Sequence, residues 1–172
     1  MEQPRPPGIA AIATKYGLIQ GVLAFVVFVA QVMTNLKPSW LATVADVVIL
    51  IVLMVLAHGQ YKRTHNGKLT YPQGLGSGTL LACVAAVVTA VLVYIYIEYL
   101  NKGYIAAAVQ AQRDALAQRG ITGAQAQQAM AIVGFVLTPT GIVVTSLISG
   151  VIVGFITALI VSIFTQKDPM AI

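Results

Sequence analysis

The residues best suited to chemistry are two acids within a chain that is otherwise almost free of charge. Asp46 stands six residues past Trp40 inside an apolar run, and Glu98 stands near the end of the next run. Along a helix, six residues place Asp46 about 9 Å from Trp40. A carboxylate at that depth in a membrane costs about 2.5–3.5 kcal/mol on insertion scales, so it must face protein or water and have a partner. Gln31 and Asn35 reach the same level from the first apolar run, and Thr145, Ser146 and Ser149 reach it from the last. Two readings fit this cluster. One is a polar cavity, open to the outside, that binds a small ion or a lipid headgroup. The other is an interhelical hydrogen-bond cluster, with Asp46 protonated or bonded to Gln31 and Glu98 simply wet. Contacts of the second kind contribute about 0.6 kcal/mol each and commonly hold membrane helices together.

The other reactive residue types form no recognisable set. His58 and His65 fall in a polar connection with no cysteine or acid cluster, which argues against a metal site. Serines and threonines within the apolar runs have no base near them in sequence, so nucleophilic catalysis has no support. Gly74, Gly76 and Gly78 lack the strand, helix and lysine of a phosphate loop. Lys62, Arg63 and Lys68 could meet anionic lipid, but a solvated loop explains them equally well. Tyr94, Tyr96 and Tyr99 suit an interfacial aromatic belt. The expectation is a protein that is not an enzyme and needs no cofactor.

Composition names the solvent of the elements that carry these residues. Of 172 residues, 58% are hydrophobic and only 9% are charged, with a mean hydropathy of +0.87. Soluble domains carry about 25% charged residues, so a surface this poor in charge belongs in lipid. The net charge is +5, but the basic residues are scattered over segment ends, which excludes a nucleic-acid face. Cys83 is the sole cysteine, so no intramolecular disulfide can form. The opening MEQPRPPG is proline-rich and lacks the features of a secretory signal.

The apolar runs predict an all-α polytopic membrane bundle in a single domain, 1–172. Four spans are expected at about 16–35, 40–57, 71–100 and 141–164, with tails at 1–8 and 165–172. The first helix could begin as early as Ile9. Asn66-Gly67 signals a tight turn, because both residues tolerate positive φ. Thr70 with Gln73 and Thr122 with Gln125 each fit a capping box, and Gly120 suits the position just past a helix end. These signals predict an extramembrane helical hairpin over 104–137, whose second helix grows apolar enough to dip into the bilayer. Thr138-Pro139 ends it.

Small residues recur every four positions in two spans. Gly74, Gly78, Ala82, Ala86 and Ala90 line the third, and Ser146, Gly150, Gly154, Ala158 and Ser162 line the fourth. Such stripes let backbones approach where no hydrophobic force acts between helices, although alanine and glycine are abundant in membrane spans generally. Basic residues set the orientation. Arg5, Lys15, Lys62, Arg63, Lys68 and Lys167 fall on one side, against Lys37, Lys102, Arg113 and Arg119 on the other. The first group marks the inside, placing both termini in the cytoplasm and the hairpin outside.

Several motifs together resemble a family of small bacterial membrane proteins. They are KYGLIQG at Lys15–Gly21, NGKLTYPQG at Asn66–Gly74, YIYIEY at Tyr94–Tyr99 and GITGAQAQQAM at Gly120–Met130, with a proline before the last span. That family is a domain-of-unknown-function group with four predicted spans, so the resemblance implies topology but no activity, and the expected location is a bacterial cytoplasmic (inner) membrane. The expected function is a non-enzymatic accessory or scaffold module that packs with itself or with other membrane proteins. The alternative is a small transporter, channel or lipid-binding protein working through the outer polar cluster.

Overall fold

The computed structural model describes residues 7–34 and 40–166. Asn35, Lys37, Pro38 and most of both expected tails lie outside this range. Among the described residues six helices follow one another: α1 (Ile9–Met33), α2 (Trp40–Thr64), α3 (Tyr71–Ile95), α4 (Tyr104–Gln118), α5 (Gly123–Val136) and α6 (Pro139–Thr165). A π-helical turn, Tyr96–Leu100, extends α3, closed by the Asn101 N–H donating to the Tyr96 carbonyl at 2.8 Å. No strand occurs among the described residues. Among the described residues four helices are long and apolar enough to cross a bilayer: α1, α2, α3 with its π turn, and α6. The protein is an all-α bundle of membrane-spanning helices with a helical hairpin, α4–α5, between the third and fourth spans.

The surface of these helices fits lipid. Large apolar side chains are exposed in rows of one per turn: Leu18, Val22 and Val26 on α1, and Val44, Val48, Val52 and Leu56 on α2. Ile148, Ile152, Ile156 and Ile160 form a similar row on α6. In water these rows would drive aggregation, whereas in a bilayer they are the face turned to solvent.

The chain divides into two compact units, residues 1–89 with 149–172 and residues 90–148. The first unit is built around Ala13, Met54, Leu81 and Ala158, all fully buried. Glycines let its backbones meet. A methyl at Gly17 would come within 2.7 Å of the Leu81 carbonyl oxygen, and one at Gly21 within 2.6 Å of Val88 Cβ. The pair Gly17 and Gly21, one turn apart, thus seats α1 on α3. Thr89 adds a hydrogen bond from Oγ1 to the Gly21 carbonyl at 3.1 Å.

α2 continues to Thr64, past the expected end at 57, and takes in His58 and most of the polar connection. Polar composition alone does not end a helix. Lys62 and Arg63 sit in its last turn, where cations favour the carbonyl end of the helix dipole. The chain reverses at Asn66 (φ 53°) and Gly67 (φ 77°), where the Gly67 N–H reaches back to the Lys62 carbonyl at 2.8 Å. At the start of α3, the Thr70 N–H donates to Gln73 Oε1 at 3.1 Å, one half of the expected capping box.

In the second unit, Gly120 (φ 72°) closes α4, with the Ile121 N–H donating to the Leu116 carbonyl at 3.0 Å. The capping box expected at Thr122 does not form, because its side chain makes no cap hydrogen bond. Gly123 enters α5 at φ 61°, and this left-handed step carries the first helical amides away from the Thr122 hydroxyl. Thr138 does cap α6, its Oγ1 accepting from the Gly141 N–H at 2.9 Å, with Pro139 at the first helical position.

Candidate functional site

Asp46 is half-buried on α2, and its hydrogen-bond partner is Gln20 of α1. Gln20 Nε2 donates to Asp46 Oδ1 at 3.1 Å. The expected partner, Gln31, lies three helical turns further along α1 and makes no such bond. The reason is register. How far two helices slide along one another is set by their packing surfaces and not by their distance from the connecting loop. Gln20 itself is only 3% exposed, and its Oε1 is buried without a partner among the described residues. Glu98 is exposed in the π turn and belongs to the other compact unit. Ser146 donates to the Val143 carbonyl of its own helix. Asn35 lies outside the described residues.

A second polar group, at the other end of the first unit, was not legible as a site. His58 is 1% exposed, within α2, and touches two further helices. Its Nε2 lies 3.1 Å from the Gly74 carbonyl and 3.0 Å from Ser77 Oγ on α3, and its Nδ1 lies 2.7 Å from Thr165 Oγ1 on α6. A carbonyl only accepts, so Nε2 carries the hydrogen that points to Gly74. Ser77 also donates to that carbonyl at 2.9 Å, while the Thr165 hydroxyl, 2.8 Å from the Val161 carbonyl, is the only group of the Nδ1–Thr165 pair with a hydrogen to give and so donates to Nδ1. Serine beside histidine is the pairing that the sequence alone did not show. The Ser77 hydroxyl nevertheless sits on a carbonyl of its own helix, and the imidazole bridges three helices. His65 stacks on Tyr61 with ring centroids 4.0 Å apart. Among the described residues no group of three or more His, Cys, Asp or Glu side chains could hold a metal ion.

The small-residue positions face one another from α3 and α6. A methyl at Gly74 would come within 3.1 Å of Ser162 Oγ, one at Gly78 within 2.8 Å of Ala158 Cβ, and one at Gly150 within 3.2 Å of Ala86 Cβ. One at Gly154 would overlap Ala82 Cβ. Each turn up α3 thus meets a turn down α6, which is an antiparallel register. Ala90 and Ser146 belong to the other unit. Gly74 and Gly78 are therefore packing positions within a helix and do not form a phosphate loop.

No curated protein and no solved structure matches the chain. A family model described as a protein of unknown function matches residues 15–167, nearly the whole chain and all four apolar helices. With that match and this architecture, the chain belongs to the DUF4199 family of proteins of unknown function.

Proposed function

We propose that the protein is a non-enzymatic module of the bacterial cytoplasmic membrane, with both termini in the cytoplasm, acting by packing with itself or with other membrane proteins. The observation that carries this reading is the condition of the Ser77–His58 pair. It has the components of a nucleophile and its base, yet both ring nitrogens of the imidazole are bound within the bundle and the serine hydroxyl bonds a helix carbonyl. A general base needs a free lone pair toward a hydroxyl that a substrate can reach. These groups instead tie α2, α3 and α6 together, which leaves the outer surface of the bundle as its working part.

Cross-linking in cells tests this. A photoreactive residue at Val48 of α2 or Ile156 of α6 samples the lipid-facing rows. The reading expects one of these positions to give a discrete protein adduct, to a second copy or to another membrane protein. Lipid adducts alone at both positions would overturn it.

The alternative, a small transporter, channel or lipid-binding protein, is favoured by the Gln20–Asp46 pair. An ionisable residue within a span marks an ion or proton path more often than it marks an idle surface.

A further inference from the structure

We infer that Gln20 and Asp46 form a proton-binding site inside the membrane, in which the Gln20 amide turns over as Asp46 gains or loses its proton. The inference stands on position, on pairing and on one orphaned atom. Gln20 is eleven residues from Ile9 and thirteen from Met33, near the middle of α1, or about 16 and 20 Å from its ends. Measured along α2 instead, Asp46 is about 9 Å from the helix start. By either ruler the pair lies within an apolar span, where an ionisable side chain needs a role or a partner.

The bonding shows what the pair can do. With Asp46 as a carboxylate, Gln20 Nε2 donates to Oδ1 at 3.1 Å, and Gln20 Oε1 is buried with no donor to it among the described residues. A buried acceptor left in that condition is destabilising, because the hydration it has lost is not replaced. When Asp46 takes up a proton, an O–H bond forms on the carboxyl and the hydronium that delivers it becomes water. The new hydroxyl needs an acceptor. A half-turn of the amide brings Oε1 to it, so the idle oxygen of one state becomes the acceptor of the other. The two states differ by one proton and one side-chain rotation, with the backbone unchanged.

The ligand is a proton and not a metal cation. Hard divalent cations take six or more oxygen ligands, whereas the pair offers the two oxygens of Asp46 and one of Gln20. The nearby Gly21 carbonyl already accepts from Thr89. The other titratable groups on these helices are Lys15 and Tyr16 of α1, His58, Tyr61, Lys62 and Arg63 of α2, and Tyr71, Cys83 and Tyr94 of α3. Lys15 lies over the Tyr16 ring at 5.7 Å. Among the described residues, the side-chain hydrogen bond of Asp46 is to Gln20.

Infrared difference spectroscopy of the full chain in lipid nanodiscs, titrated with acid and base, tests the inference. The expected result is a protonated-carboxyl band, absent from Asp46→Asn, that comes and goes reversibly with pH. A glutamine amide band, absent from Gln20→Leu, should shift at the same midpoint, and Gln20→Leu should itself displace the Asp46 midpoint. The inference is overturned if no Asp46 band titrates, or if it titrates while the Gln20 band stays still. It is equally overturned if sodium or calcium at fixed pH reproduces the change, which would make the site a metal site. Should Asp46→Asn fail to fold, the wild-type protein can be treated with dicyclohexylcarbodiimide, which attacks protonated carboxyls in apolar surroundings. Peptide mapping should then find the adduct on Asp46, and an unmodified Asp46 counts against the site.

Discussion

Gly154 of α6 lies so close to Ala82 of α3 that a single methyl group at position 154 would occupy the space of the Ala82 Cβ. The same contact repeats one turn away, where Gly150 faces Ala86 at a looser 3.2 Å. Overpacking a well-packed interface costs about 1–3 kcal/mol, and a side chain larger than methyl costs more. Gly154→Ala should therefore lower the thermal unfolding midpoint in detergent clearly, and Gly154→Leu should prevent folding. Gly150→Ala should have the smaller effect. Gly59→Ala is the control, since nothing lies within 4 Å of that position and alanine is the better helix former by about 1 kcal/mol. Equal midpoints for Gly154→Ala and Gly59→Ala would refute close packing of α3 on α6.

The histidine bridge gives a second stability prediction. His58→Phe keeps a ring of similar size but removes the link to Ser77 and Thr165. It should destabilise the bundle by about 1–3 kcal/mol, the usual penalty for stranding buried polar partners. Ser77→Ala should be milder, at about 0.5–1.5 kcal/mol, because the imidazole still reaches the Gly74 carbonyl. Calorimetry or a thiol-reactive melting assay on Cys83 would rank the two, and the reverse order would mean that His58 is not the joint.

The third prediction concerns Gln20 and Asp46 as a pair. Removing them singly and together, as Gln20→Leu, Asp46→Leu and the double variant, should reveal a coupling of about 0.6–2 kcal/mol, the range of polar contacts between membrane helices. The same cycle run with Gln31→Leu should give additive effects. Coupling of Asp46 to Gln31 and not to Gln20 would show that α1 and α2 take the loop-determined register.

These three predictions differ in how far the sequence could anticipate them. The spans, the Asn66-Gly67 reversal and the Gly120 helix end were legible, because apolar length and positive φ are written directly in residue types. The alternation of Gly74, Gly78, Ala82 and Ala86 was legible for the same kind of reason, since only small residues permit near contact in lipid. The partner of Asp46 was not. Gln20 and Gln31 are both polar residues on α1, and only the packed register of α1 against α2 decides which of them Asp46 meets. His58 was hidden by composition: its neighbours Gln60, Lys62 and Arg63 look like a loop, yet the helix runs on through them.

Topology supplies a fourth prediction. With both termini inside, a Lys68→Cys variant in a Cys83→Ser background should resist an impermeant maleimide in intact cells and react after permeabilisation. Gln118→Cys, on the exposed last turn of α4, should react in intact cells. The opposite pattern would invert the orientation drawn from the basic residues.

The central claim is that this bundle works through its surface and holds no reaction centre, and Ser77 is where that claim is most exposed. The direct measurement is intact-mass spectrometry of the purified full-length protein after incubation with a fluorophosphonate, which traps serines activated by a neighbouring histidine. The account predicts an unmodified mass, because the Ser77 hydroxyl is held on the Gly74 carbonyl and is almost fully buried. A stoichiometric adduct that disappears in Ser77→Ala would contradict it and identify the Ser77–His58 pair as a catalytic centre.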